Sequence, residues 1–143
     1  MTAPPRPRAR EAGPELLVLA RWEAFVPWLL GTCGRWPRSV RFTLTQRLEN
    51  HALDVLELLV VARYQPRQRA GSLLRANLTL ERMRFLCRIA RARACMSARA
   101  FDKAMHDIDE TGRMLHGWRQ HARQQPPRQR RHVSKTPSPE ATS

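Results

Sequence analysis

Between positions 82 and 93 the chain reads RMRFLCRIARAR, five arginines in twelve residues threaded through Met83, Phe85, Leu86, Cys87 and Ile89. A guanidinium is a planar, permanently charged fork of donors that grips a phosphate through paired hydrogen bonds. Such a density of forks is chemistry suited to a polyanion. On a helical wheel Arg84, Arg88 and Arg91 fall within about 60° of one another, in line with Asn77 and Glu81, and form a solvent-facing row. With Arg67, Arg69 and Arg99 nearby, they are the candidate contacts to a nucleic acid or a partner; the plain alternative is a solvated helix face. Arg75, Arg82 and Arg93 form a second row within about 20°, set into an apolar arc beside Leu78, Leu86 and Ile89. Charges in such a place must snorkel, pair or face a cavity. This row is therefore predicted to line an oligomer interface or channel, or to pair with Glu49 or an acid of the fourth helix.

The charge distribution agrees with a polyanionic partner. The formal charge is +14, and residues 63–99 carry ten arginines against the single acid Glu81. A surplus concentrated on one folded segment makes a field that attracts phosphate, and binding of that kind weakens steeply with salt. Of the 26 basic residues 24 are arginine; a genome rich in G and C would produce the same bias.

Other chemistry finds little support. His116 and His121 lie five residues apart, which puts them on different faces of a helix, and His106 lies elsewhere on the wheel. No cysteine or carboxylate completes a metal-binding spacing around them. Asp107, Asp109 and Glu110 point to different sides of one helix and form no acid–base pair. Neither a glycine-rich phosphate loop nor a nucleophile elbow nor an HExxH motif is present. The chain is predicted to have no catalytic residue, no metal and no cofactor. Cys33, Cys87 and Cys95 are an odd set without CxxC spacing, which suits reduced thiols. With no secretory pattern and no apolar run approaching the ~18 residues of a membrane span, a cytoplasmic location is expected. Trp36, Phe42 and Tyr64 have side chains able to stack on bases, but core or loop-anchoring roles are predicted for them; Trp118 is predicted to be core.

The elements that must position these arginines are helices, because apolar residues recur at helical spacing in four segments and no long segment alternates like a strand. The first runs from Pro14 to about Cys33, with Pro27 predicted to kink or break it. The second begins near Thr43 or Thr45, either a candidate cap, and ends near Tyr64. The third is capped by Ser72 and runs to about Ala94; the fourth follows Ser97 and runs to about Gln124. Four such helices with short connections predict an all-α protein, an antiparallel four-helix bundle over 14–124. The ends, 1–13 and 125–143, hold seven of the eleven prolines and almost no large apolar side chains, so a disordered Pro/Arg-rich head and a disordered basic tail are expected. The fourth helix is apolar on one side, across Phe101, Ala104, Met105, Ile108, Leu115, Trp118 and Ala122. The second and third are apolar around far more than the ~100° a bundle helix needs, and the excess implies a second copy of the chain to pack against.

Three stretches carry a family resemblance: WPRSVRFTLTQRLENHALDVLELLVVARY (36–64), LLRANLTLERMRFLCRIA (73–90) and IDETGRMLHGWRQ (108–120). In this order they resemble the bacterial four-helix-bundle proteins that include the accessory variability determinant (Avd) of diversity-generating retroelements. Members encoded in intervening sequences of 23S ribosomal RNA genes belong to the same family. Thr111 stands where the family tends to be apolar and His116 where it tends to have glycine. The resemblance implies a non-enzymatic partner of a retroelement reverse transcriptase. It implies assembly as a homopentameric barrel with a basic surface, and association with the polymerase and with template RNA or cDNA in support of mutagenic reverse transcription. The ribosomal members imply the other reading, a structural bundle with no polymerase partner.

Overall fold

The helical periodicity is realised as four long helices, α1 (Pro14–Cys33), α2 (Gln46–Tyr64), α3 (Arg69–Ala92) and α4 (Ala98–Gln124). They are seen in a computed structural model that describes residues 13–124. The expected tail and, but for Gly13, the expected head lie outside the described residues. Among the described residues there is no strand. Each helix packs on its neighbours in sequence and α4 returns against α1, which closes a four-cornered ring. The connections are too short to cross the bundle, so every neighbouring pair is antiparallel. The core is one cluster drawn from all four helices, with Trp22, Leu29, Leu48, Leu59, Leu80, Met83, Ile108 and Leu115 all buried.

α1 runs unbroken through Pro27. A proline inside a helix costs about 3 kcal/mol, but this ring faces outward while Trp22, Phe25, Val26 and Leu29 are buried around it. Burial of four such side chains at roughly 1.5–3 kcal/mol each outweighs the lost hydrogen bond. Trp22 also donates its indole N–H to the Ala52 carbonyl of α2 at 2.8 Å. The expectation that no segment is long and apolar enough to span a bilayer is corrected here. Glu15–Cys33 meets that criterion by length and composition, at a mean hydropathy of 1.3. In the bundle it forms one wall of the core, and its Arg21 is paired with Asp107 of α4 at 3.2 Å.

Neither threonine caps α2. The chain passes from a 3₁₀ turn, Arg38–Val40, into a π-helical turn, Arg41–Thr45, and then straight into the α-helix. Thr43 donates its hydroxyl to the Val40 carbonyl and Thr45 donates to that of Cys33, so both serve the turn. Ser72 is likewise no cap: Pro66–Gln68 forms a 3₁₀ turn that winds directly into α3 at Arg69, and Ser72 is buried one turn inside. The fourth helix does start after Ser97, as predicted, and the Ser97 Oγ accepts the Ala100 N–H there at 3.1 Å. The α3–α4 connection turns at Ala94, which has φ 61°, and the Cys95 N–H closes it onto the Ala90 carbonyl at 2.9 Å. A residue with a Cβ resists this left-handed conformation by about 1–2 kcal/mol. Ala94→Gly is expected to raise stability by about 1 kcal/mol, read as a shift of the urea midpoint at unchanged slope.

The three cysteines are free thiols. Burial pushes the Cys33 and Cys87 thiols up to about 12, and the charges of Cys87 and Glu49 add to the effect at Cys33. Thiols so far from ionising are inert. Iodoacetamide at neutral pH is expected to label Cys95 alone in the folded chain and all three cysteines in urea, as counted by intact mass.

Candidate nucleic-acid interface

The predicted solvent row does not stay together. Arg84 leans towards α4, where its Nε donates to Asp109 Oδ1 at 2.8 Å while its Nη1 donates to Glu81 Oε2 at 2.7 Å. Its side chain is only 17% exposed. The guanidinium lies across Gly112 of α4, where a Cβ would stand 3.1 Å from Arg84 Nη2. A wheel drawn for α3 alone gives no information about which flank α4 will cover, and that flank includes Arg84. Arg91 is exposed but donates to the Met96 carbonyl at 3.2 Å, bracing the α3–α4 turn. Arg88 projects from α3 over the ring of exposed Phe85, 5.2 Å from its centroid.

Arg69 is half-buried and braces the α2–α3 corner. Its Nε donates to the Ala62 carbonyl at 2.7 Å and its Nη2 to that of Arg63 at 3.3 Å, satisfying acceptors that the end of α2 leaves open. The same guanidinium lies 5.7 Å from the centroid of the Trp118 ring. Charge-assisted hydrogen bonds and a cation–π contact together give an expected loss of about 2 kcal/mol for Arg69→Ala. Lysine should recover only part of it, since one ammonium cannot reproduce the fork; thermal and urea unfolding check both variants. Arg67 is exposed in the same corner, beside Gln65, Pro66 and Gln68, and Arg99 is exposed at the start of α4.

The second row divides between two places. Arg75 and Arg82 line an open groove of about 380 Å³ between α2 and α3, opposite Asp54 and Glu57, with Leu58, Val61, Leu78 and Thr79 between them. Arg93 is at the far end of α3, exposed in the turn to α4. Glu49 forms no ion pair with any of the three among the described residues. His51, near this groove, is held below its ordinary pKa by partial burial and then by Arg82 and Arg47, against the opposing pull of Asp54. Beside the groove the large apolar side chains of Leu53, Val60, Leu74, Leu78, Phe85 and Ile89 are exposed on α2 and α3, Leu78 by 52% and Phe85 by 57%. The excess apolar surface read from the sequence is therefore open on the single chain.

Sequence reasoning missed a further group. The stretches 24–48 and 82–101 contain no acid. Antiparallel packing brings the α1–α2 connection and the α3–α4 connection to the same end of the bundle. There Arg35, Arg38 and Arg41 of the first connection and Arg47 at the start of α2 share an end with Arg88 and Arg91 near the end of α3, Arg93 of the second connection and Arg99 at the start of α4, and all eight are exposed. The five ion pairs among the described residues involve Glu81, Asp107, Asp109 and Glu110 near mid-height, and none includes these eight. Two helix N-termini and two C-termini meet at each end of such a ring, so the macrodipoles cancel and the arginines set the sign. The signal was visible as two acid-free runs, but only the topology joins them. Phe42 stands on the same end, 76% exposed on the π-helical turn, while Trp36 is buried and Tyr64 is exposed at the opposite end with Arg63 over its ring at 5.1 Å. The predicted core or anchoring role thus fits Trp36 and does not fit Phe42.

Among the described residues no three His, Cys, Asp or Glu side chains gather as metal ligands would. Thr111, polar where the family tends to be apolar, is nevertheless buried in the α4 face. No curated protein matches the chain. The profile of one family, described as bAvd-like, matches residues 16–122, which takes in all four helices. The bundle, its order of motifs and this match agree: the chain belongs to the bAvd-like family.

Proposed function

We propose that the chain is a non-enzymatic accessory subunit of a retroelement reverse transcriptase. It assembles in the cytoplasm into a homo-oligomeric barrel, of five subunits by the family resemblance, and holds the polymerase close to its template RNA or cDNA. The observation that carries this reading is the pairing of two surfaces on one small bundle. One is the apolar face of α2 and α3, which includes Leu74, Leu78, Phe85 and Ile89 and is too large to suit an isolated molecule. The other is a set of exposed arginines that no carboxylate among the described residues neutralises. Burying the first between copies repeats the second around a ring, and repetition multiplies weak phosphate contacts into avidity. Family membership supports the polymerase as partner.

Light scattering on the purified chain is expected to give a mass five times 16.6 kDa. Co-expression with a reverse transcriptase encoded beside it is expected to yield a complex that retains template RNA at low salt. A chain that stays monomeric, or an assembly that captures neither polymerase nor RNA, overturns the proposal and leaves the structural-bundle reading.

A further inference from the structure

We infer that the arginine-bearing end of the bundle is a binding site for single-stranded nucleic acid, with Phe42 as the platform on which an unpaired base stacks. The inference rests on the nucleic-acid half of the function proposed above and adds to it a place, a strand type and a residue that discriminates. Three observations converge. First, the charge is complementary to a phosphodiester strand. Arg35, Arg38 and Arg41 of one connection share this end of the bundle with Arg91, Arg93 and Arg99 at the turn from α3 to α4, all exposed and none in an ion pair among the described residues. The nearest acids in sequence, Glu49 and Asp102, sit about one turn inside α2 and α4 and make no ion pair among the described residues.

Second, Phe42 has no structural task that explains its type. It is 76% exposed between Arg41 and Thr43, whereas Val40, Leu44 and Thr45 on the same turn are buried and hold the connection to the core. Third, the backbone beneath it is a π-helical turn, Arg41–Thr45. A wider turn of this kind puts one residue out of α-helical phase, and such turns recur at functional sites. Here it carries an exposed aromatic ring at the end of the bundle that bears these arginines.

An aromatic face among cations is the chemistry of single-strand recognition, in which arginines track the phosphates and rings take the base faces. A duplex keeps its base faces stacked on one another, so it can use the arginines but not Phe42. The expected behaviour is a selective loss. Substituting Phe42 leaves the core untouched and removes only what depends on an unpaired base.

The test uses the full chain and fluorescence anisotropy with oligouridylate and oligodeoxythymidylate of about twelve nucleotides, beside a duplex of equal length. Phe42→Ala is expected to weaken both single strands about tenfold and leave the duplex within about twofold, with Phe42→Trp restoring the loss. Replacing Arg35, Arg38 and Arg41 together by alanine is expected to flatten the log–log salt dependence for single strands by about two units. Circular dichroism verifies folding of each variant. Equal losses on duplex and single strand, or parental affinity in Phe42→Ala, overturn the site while leaving nucleic-acid binding by the protein intact. A Phe42→Ala chain that binds strands normally but no longer captures the polymerase assigns the ring to a protein contact and also overturns the site. A parent chain that binds no oligonucleotide overturns both this inference and the nucleic-acid half of the proposed function.

Discussion

Alanine in place of Trp22 is expected to cost the bundle about 3–5 kcal/mol, a large share of the roughly 5–15 kcal/mol that holds a domain together. Trp22 is fully buried on α1, packs against Phe25 with ring centroids 5.0 Å apart, and donates its indole N–H to the Ala52 carbonyl at 2.8 Å. Phe25 continues the row to Trp28 at 5.6 Å, and Lys103 of α4 lies over that ring at 5.0 Å. Removing the first ring opens a void at the contact of α1 with α2, and stiff helices close such a void poorly. Trp22→Phe keeps most of the apolar area and forfeits the hydrogen bond, so its expected cost is only about 1–2 kcal/mol. Urea unfolding followed by circular dichroism reads both. If Trp22→Ala cost no more than Trp22→Phe, the packing of α1 as a wall of the core would be wrong.

The second large effect is on assembly and not on folding. In the proposed oligomer, Leu78→Asp is expected to weaken association by at least a hundredfold and to give a folded monomer at micromolar concentration. Leu78 is 52% exposed on α3 and lines the groove between Arg75 and Arg82. A carboxylate is easily hydrated there on a single chain. Under a neighbouring subunit it would lose both its water and the apolar contact, at a cost of roughly 3 kcal/mol or more. Leu17→Asp supplies the control, because Leu17 is also exposed but stands on α1, away from the α2–α3 face. It is expected to leave the oligomer unchanged. Analytical ultracentrifugation distinguishes the two, and an oligomer indifferent to Leu78→Asp but broken by Leu17→Asp would move the interface to α1.

The sequence carried the helices well because apolar spacing is a local property that burial then enforces. Phe101, Ala104, Ile108, Leu115 and Trp118 lie on one side of α4 in the chain and against the core in the structure. Ser97 announced its helix correctly because a hydroxyl at the start of a helix has a donor within reach. Ser72, Thr43 and Thr45 misled for a related reason: 3₁₀ and π turns ahead of α3 and α2 had already carried the chain into helical geometry, leaving the hydroxyls no end to cap. The candidate site was harder to see because it is tertiary. Arg84 left the solvent row because α4 covers its flank, and Arg69 is engaged by the α2 carbonyls and Trp118. Arg35, Arg38 and Arg41 lie far in sequence from Arg91, Arg93 and Arg99, and share one end of the bundle only through antiparallel packing. Phe42 was given a core or anchoring role, as most aromatic side chains have, and the π-helical turn leaves it exposed instead.

One consequence follows from the closed ring of helices. α1 begins and α4 finishes side by side, at the end opposite Phe42. A few polar residues joining Gly13 to Gln124, with the chain reopened at Pro66, would yield a circular permutant that keeps every helix contact and leaves the Phe42 end uncut. Such a permutant turns α2 into the last helix and α3 into the first, so each could be truncated or tethered independently while the remainder of the bundle is held by the new splice.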